Sequence, residues 1–209
     1  MSTAGQTLLL TGFEPFGGDQ SNPSGETALA LDGYRLSGDA VIRSLVLPVS
    51  AGPAWELARK HIRILRPRWI VATGVGPRDR ITPEEQAVNW CDYRIPDNAG
   101  VMRREVPAVP GGRKAFRCGL DVRALADAIH AAGVPAGVSD DAGRFVCNDF
   151  YCRLLRLTSR RGHAAAGRSV FVHVPRTPEM GGTPPFMELA AIRAGLLVLL
   201  DSLVTQPGR

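Results

Sequence analysis

Strand-like and helix-like segments alternate along almost all of this 209-residue chain, and that alternation constrains its fold more than any other feature. Apolar strand-like runs occur at 7–10, 40–47, 69–72, 136–139 and 169–175. Helix-like runs occur at about 24–31, 53–65, 122 to a stop at Gly133, 145–160 and 185–203. Such alternation is typical of parallel strands joined by crossover helices. We therefore predict an α/β fold, a single-domain, open, twisted, mostly parallel sheet with helices on both faces, formed by residues 1–209.

Two local patterns support the helix assignments. Ser24 stands at the start of the first helix-like run, where its hydroxyl can accept from a free backbone N–H, and we predict that it is the N-cap. In the second run, an apolar stripe indicates an amphipathic helix. The residues of that stripe are Trp55, Ala58, Ile62 and Leu65.

The chain is basic, with a net charge of +5 and a pI of about 9.4. Most of the excess is arginine scattered between segments, and the one small cluster is Arg156, Arg160 and Arg161. Arginines at that position complement the dipole of a helix C-terminus. Because the aromatic content is low and no nucleic-acid-binding motif is present, we predict no nucleic-acid partner.

The N-terminal segment and the cysteines indicate the cellular compartment of the protein. Leu8 to Leu10 run directly into Thr11 with no basic segment before them, which predicts a first strand rather than a signal peptide. No apolar run approaches membrane-spanning length. Cysteines at 91, 118, 147 and 152 lack regular spacing, and no short-spaced ligand pair typical of zinc occurs. We predict a cytoplasmic protein with reduced thiols, no membrane association, no metal and no cofactor.

Cys147 and His173 are a candidate nucleophile and base. Cys147 follows a glycine turn at the start of the helix-like run 145–160, where unpaired N–H groups and the positive helix end favour a thiolate. His173 closes an apolar strand-like run. By pattern alone, both also fit buried core positions, Cys147 on an apolar stripe and His173 bonded to a backbone carbonyl. We expect the two residues to meet at the carboxyl rim of the sheet.

Five segments occurring in order along the chain form a recognisable set. They are Thr-Gly-Phe-Glu-Pro-Phe-Gly-Gly at 11–18 with Asn22-Pro23, Ile-Thr-Pro-Glu-Glu-Gln-Ala-Val-Asn at 81–89, Asp-Tyr-Arg-Ile-Pro-Asp-Asn at 92–98, Ala-Gly-Arg-Phe-Val-Cys-Asn at 142–148, and His-Val-Pro at 173–175 with Pro178-Glu179. This set resembles the pyroglutamyl peptidase I family, also called pyrrolidone-carboxylate peptidases. The resemblance extends from about residue 7 to the C-terminal helix.

The resemblance implies removal of N-terminal pyroglutamyl residues from peptides by cysteine-dependent acyl transfer. Cys147 would attack the carbonyl, His173 would move the proton, and Glu84 would orient the imidazole. Glu84 is chosen because it matches the family pattern Ile-Ser/Thr-x-Glu. The phenylalanines implied to hold the flat, uncharged lactam ring are Phe13, Phe16 and Phe145. Family members are commonly homotetramers, so the resemblance also implies a homo-oligomer.

Several residues near the site depart from the family pattern. Glu85 stands where a basic residue is usual and adds a negative charge beside Glu84, which favours an imidazolium partner. Asp140 and Asp141 precede Ala142, and a bulky Arg144 follows Gly143, so that an aspartate and Arg144 can contact each other near the entrance. We expect Glu85 and Arg94 to influence the site electrostatically without touching the reacting atoms.

Two alternative functions remain open from the sequence. One is a thiol amidohydrolase that acts on a different small cyclic amide. The other is a catalytically impaired homologue that binds pyroglutamyl ends without cleaving them.

Overall fold

The computed structural model describes residues 6–160 and 162–205, and it confirms the predicted fold class. Within these residues the strands are β1 (Thr7–Phe13), β2 (Val41–Leu47), β3 (Trp69–Val75), β4 (Thr82–Pro83), β5 (Gln86–Val88), β6 (Ala115–Arg117) and β7 (Ser169–Val174). The helices are α1 (Pro23–Ala30), α2 (Ala51–Leu65), α3 (Val122–Ala131), α4 (Val146–Thr158) and α5 (Leu189–Thr205), with 3-10 turns at Ser37–Asp39 and Pro178–Met180.

The main sheet has the strand order β2-β1-β3-β7-β4. The first four strands are parallel, and β4 pairs antiparallel with β7 so that Thr82 lies opposite His173. Strands β5 and β6 form a separate antiparallel pair. The short β4 therefore brings the chain after Thr82 to the carboxyl end of β7.

Helices cover both faces of the sheet, as the alternating side chains of β1 illustrate. Leu9 points into a core formed with α2 and α4. Leu8 and Leu10 point into a second core formed with α1, α3 and α5. Because successive strand residues face opposite sides and both sides are covered, every residue of β1 after Thr7 is buried, and most of these residues are apolar.

The predicted cap of the first helix is wrong by two residues. Asn22 is the N-cap, because its side chain accepts from the backbone N–H of Ser24 at 3.0 Å. Ser24 lies inside the helix. Its hydroxyl donates to Asn22 at 2.7 Å and accepts from the backbone N–H of Phe13 at 3.1 Å. The serine thus joins α1 to the end of β1.

Two further element predictions need correction. The predicted strand at 136–139 is an extended segment with only isolated bridges, from Ala136 to Ile81 and from Ser139 to Glu84. The last helix begins at Leu189 rather than at Pro185, because Phe186 bridges to Arg176 and the backbone there is extended. The predicted runs 7–10 and 69–72 are confirmed as strands, and both extend by three residues.

Three other predictions concern the chain as a whole. The predicted domain, residues 1–209, and the predicted cluster member Arg161 include positions outside the described residues, so the domain limits stay a prediction. In the described ranges, no helix combines the length and apolar character needed to cross a bilayer. The four cysteines are all free.

The crossing of β1 and α1 is so close that it depends on glycine. A Cβ at Gly12 would lie 2.1 Å from the carbonyl oxygen of Ser24. We expect Gly12→Ala to lower the free energy of unfolding by about 3 kcal/mol, because backbone must move to admit the methyl group. Urea denaturation measures this loss.

Gly52 in α2 provides the matched control for Gly12. A Cβ at Gly52 meets nothing within 4 Å. Gly52→Ala should leave the free energy of unfolding unchanged or raise it by up to about 1 kcal/mol. Equal effects of the two substitutions would contradict the proposed backbone clash.

Candidate active site

The structure brings Glu84 and His173 into direct contact at the carboxyl rim of the sheet. His173 lies near the end of β7, and the chain leaving β4 places Glu84 beside it, with the backbone N–H of Glu84 donating to Phe171 at 2.9 Å. Nδ1 of His173 lies 2.7 Å from Oε1 of Glu84. A carboxylate only accepts, so Nδ1 donates, and Nε2 is left for another partner. Both side chains are buried.

Cys147 reaches the same place from α4. It is the second residue of the helix, after a turn in which Gly143 has a φ of 81°. Its Sγ packs against β3, where a Cβ on Gly74 would lie only 3.0 Å from the sulfur. Gly74 is also paired with His173 across the sheet. This glycine therefore leaves the space in which the thiol meets the imidazole.

The charge state of His173 follows from its two neighbours. Burial lowers the pKa of His173, but hydrogen bonds to Cys147 and Glu84 and the negative charges on them outweigh burial and raise the pKa to about 9. At neutral pH the ring is therefore an imidazolium. A buried cation of this kind is stable because acceptors lie beside it.

Arg78 is a site residue that the sequence reasoning missed. Its Nη2 donates to Oε1 of Glu84 at 3.2 Å, to Oγ of Ser139 at 3.1 Å and to the carbonyl of Asp141 at 2.8 Å. The guanidinium thus ties the carboxylate to the segment that precedes α4. The position of Arg78 just beyond β3, at the rim where ligands bind in such sheets, is the signal that could have identified it.

A small cavity of about 140 Å³ opens beside Cys147. The predicted phenylalanines Phe13, Phe16 and Phe145 all line it. The rings of Phe16 and Phe145 are 5.1 Å apart, and Tyr93 supports Phe145 from behind at 4.6 Å. The volume lies well below the roughly 300–1,000 Å³ of sites for drug-sized ligands. The cavity suits a small, flat, uncharged group.

An ion pair that the sequence did not predict forms part of the cavity wall. Arg176 donates to the two carboxylate oxygens of Asp19 at 2.8 and 3.0 Å, and both residues line the cavity. The pair joins the loop after β1 to the loop after β7. Because each charge is satisfied by the other, the pair leaves no free charge facing the aromatic walls.

Two predicted residues are not brought to the site. Glu85 lies in the wall of a separate depression with Arg117 and Cys118. It faces away from His173 because neighbouring residues of an extended segment point to opposite sides. Arg94 is exposed and is not among the residues that line the cavity. Of the two candidate aspartates, Asp141 contacts Arg144, at 2.6 Å.

The other three cysteines differ from Cys147 in their surroundings. Burial raises the pKa of Cys91 to about 11 and that of Cys152 to about 12. Burial also raises the pKa of the Cys118 thiol. These thiols are protonated at neutral pH, whereas Cys147 is half-buried beside the cavity and next to an imidazolium. Among the described residues, no group of His, Cys, Asp and Glu has the arrangement of a metal site.

Comparisons with known proteins agree with the family that the sequence motifs resemble. A family profile described as Pyroglutamyl peptidase matches residues 6–204. The pyrrolidone-carboxylate peptidase of Pseudomonas fluorescens is 42% identical over 195 residues, covering 90% of this chain and 88% of that protein. The enzyme of that name from Pyrococcus furiosus is 36% identical over 209 residues, covering 94% and 99%. The crystal structure of Bacillus amyloliquefaciens pyroglutamyl peptidase I superposes with a TM-score of 0.90 at 33% identity, covering 96% and 98%.

Proposed function

This chain belongs to the pyroglutamyl peptidase family, and on that premise we propose that Cys147, His173 and Glu84 are its catalytic residues. The protein is a pyroglutamyl-peptidase I, a cysteine hydrolase that removes N-terminal pyroglutamyl residues from peptides. The observation that supports the residue assignment best is the 2.7 Å hydrogen bond between Glu84 and His173 beside the small aromatic cavity that Cys147 lines.

In the first step, the Cys147 sulfur attacks the carbonyl carbon that joins pyroglutamate to the next residue. The C–N bond then breaks, and the departing amine takes the proton from Nε2 of His173. A thioester remains on the enzyme. Glu84 keeps Nδ1 protonated and the ring in position through its 2.7 Å hydrogen bond.

The negative oxygen of the tetrahedral intermediate needs donors close to Cys147. The N-cap of α4, Phe145, offers no side-chain acceptor to the first turn. The first N–H groups of a helix also lack intrahelical partners, so those near Cys147 are available for the oxyanion. One such donor contributes about 3 kcal/mol to lowering the barrier. Water then attacks the thioester, and His173 accepts a proton from the water. The C–S bond breaks, which regenerates the Cys147 thiolate and releases free pyroglutamate.

Specificity for a lactam fits the cavity walls. Pyroglutamate has no α-amine, so its ring is uncharged and can lie against the aromatic wall formed by Phe16 and Phe145 without losing the solvation of a charge. An ordinary N-terminal residue carries an ammonium group. Burying that charge in the cavity is strongly unfavourable, because the carboxylate of Asp19 in the cavity wall is already paired with Arg176.

Hydrolysis of matched amides tests this function. We expect release of coumarin from the pyroglutamyl amide but not from the prolyl or glutamyl amide, and we expect iodoacetamide treatment to abolish it. Cleavage of another cyclic amide in preference would favour the amidohydrolase alternative. Binding of the pyroglutamyl amide without release by folded, reduced protein would favour the impaired homologue.

The pH dependence follows from the pKa of His173. Because the imidazolium must protonate the leaving amine, kcat/KM should fall as pH rises through about 9. The folded-state pKa lies above the ordinary value of 6.5, so this ionisation stabilises the fold below pH 6.5 and the contribution is lost as pH rises through about 9. NMR titration of His173 checks the assignment. A midpoint at or below 6.5 would contradict it.

We further propose that the protein is a cytoplasmic homotetramer. The tetramer follows from the resemblance, and it is supported by a segment, residues 90–106, that exposes several large apolar side chains. They are Trp90, Ile95, Val101, Met102 and Val106, each at least 36% exposed. Apolar side chains concentrated in this way are typical of protein interfaces. Light scattering in solution measures the assembly, and a monomer would contradict this proposal.

A further inference from the structure

A second, larger concavity lies at the opposite end of α4 from the nucleophile. Its volume is about 730 Å³, and the C-terminal halves of α2 and α4 form its two sides. We call it the arginine cleft, after Arg59, Arg63, Arg66, Arg153, Arg156 and Arg160 in its lining. Cys147 lies in the first turn of α4, whereas Arg156 lies in its last turn, about 14 Å along the helix, and the linings of the cleft and of the cavity beside Cys147 share no residue. The cleft is therefore separate from the catalytic site.

Most of the positive charge in the arginine cleft is uncompensated. No aspartate or glutamate lines it. Arg59 pairs with Glu56, and Arg153 pairs with the buried Asp149. In the described part of the chain, the other four arginines make no ion pair with a carboxylate. Four like charges around one concavity repel one another and attract anions.

Helix dipoles explain only part of this cluster. Arg63 and Arg156 occupy the last turns of α2 and α4, where one cation complements each helix end. Arg66 and Arg160 lie beyond those turns. They add positive charge at helix ends whose dipoles Arg63 and Arg156 already complement. His163 lies in the same lining, and its pKa is lowered by burial and by the positive charge of Arg160.

The floor of the arginine cleft is apolar. Trp55, Val109 and Leu157 contribute to its lining between the arginines. A guanidinium binds phosphate oxygens in a bidentate manner, whereas apolar side chains favour a flat organic group. We propose that the arginine cleft binds a small organic polyphosphate, with the phosphates on the unpaired arginines and the organic part on the apolar floor.

The shape of the cleft favours a small ligand over nucleic acid. Its volume falls within the roughly 300–1,000 Å³ typical of small-molecule sites. A nucleic-acid strand needs a longer basic groove with several aromatic stacking positions. Each phosphate group carries up to about two negative charges at neutral pH, so two or three of them match four arginines.

Titration calorimetry with ATP, inorganic tripolyphosphate and adenosine tests the proposal. We expect saturable binding of ATP, weaker binding of tripolyphosphate and none of adenosine. The double variant Arg63→Ala/Arg156→Ala should weaken ATP binding by about tenfold or more, because each lost arginine removes a charge-assisted hydrogen bond. The matched control Arg35→Ala/Arg193→Ala removes the same charge at exposed positions outside the cleft and should leave binding unchanged.

Two further readouts keep the test decisive. Pyroglutamyl amide hydrolysis by both double variants should equal that of the original protein, which shows that they fold. NMR titration should show that ATP raises the pKa of His163, because the bound phosphates offset the charge of Arg160. ATP should not raise it in the cleft variant.

Four outcomes would overturn the proposal. The first is absence of saturable ATP binding, and the second is an equal loss of ATP affinity in the two double variants. The third is a pKa of His163 that ATP leaves unchanged. The fourth is tripolyphosphate binding as tight as that of ATP, which would identify inorganic polyphosphate as the ligand. Tight binding of a single-stranded oligonucleotide without binding of ATP would likewise replace the proposal with a nucleic-acid site.

Discussion

Replacement of Cys147 by alanine is expected to lower kcat for a pyroglutamyl amide by about ten-thousand-fold or more, because no other group can form the thioester. The side chain is half-buried and small, so the fold should persist. Binding of a pyroglutamyl peptide, measured by calorimetry, should be retained, because the cavity walls are formed by other residues. A fluorogenic amide assay measures the loss of turnover.

Cys147→Ser is the informative companion to the alanine variant. The hydroxyl has nearly the same size as the thiol but ionises far less readily, so this variant should also be almost inactive. It should also lower the pKa of His173, since the charge on Cys147 raises it. Turnover close to that of the original protein in either variant would exclude Cys147 as the nucleophile.

Glu84→Gln is expected to produce the second-largest loss, about a hundred- to ten-thousand-fold in kcat. The amide has nearly the same shape as the carboxylate, but it no longer carries the negative charge that stabilises the imidazolium. The pKa of His173 should therefore fall, and the decline of kcat/KM at high pH should begin earlier. The substitution also leaves Arg78 without its charged partner.

Glu85→Gln is the matched control, since the same chemical change is made one residue away. Glu85 faces a different depression, so kcat and the pH profile should change by no more than about twofold. If Glu85→Gln matched Glu84→Gln, the orientation of this segment would be wrong. A large loss in Glu84→Gln without any shift of the pH profile would indicate a structural role rather than support of His173.

Strands β1, β3 and β7 could be predicted because each is an apolar run buried on both faces, and the edge strand β2 could be predicted from an apolar run that is only partly buried. Strands β4, β5 and β6 could not, because two or three residues show no periodicity. The run at 136–139 looks like a strand, yet it forms only isolated bridges with the chain around β4. Asn22 and Ser24 are both good caps, and Pro23, a residue typical of the first helical position, is the sequence signal that favours Asn22.

The candidate site was predicted from a resemblance between motifs rather than from residue patterns. By pattern alone, Cys147 and His173 fit ordinary core positions. Arg78 lies only six residues before Glu84 and could have been found from its place just beyond β3. The Asp19–Arg176 pair could not be predicted, because it joins segments 157 residues apart. The residues next to each partner in the sequence do not indicate which distant residue it contacts. Arg94 illustrates the reverse, since it lies in a family-like motif but on the exposed surface.

The order in which the chain is made has a consequence for when the enzyme becomes active. The Glu84–His173 hydrogen bond joins residues 89 positions apart, and β7, which carries His173, enters the sheet between β3 and β4. A nascent chain synthesised only as far as α4 thus contains the proposed nucleophile, Cys147, but not the proposed base, His173. Such long-range contacts form late in folding. In the proposed mechanism, hydrolytic activity therefore requires β7, and a chain that ends before this strand has none.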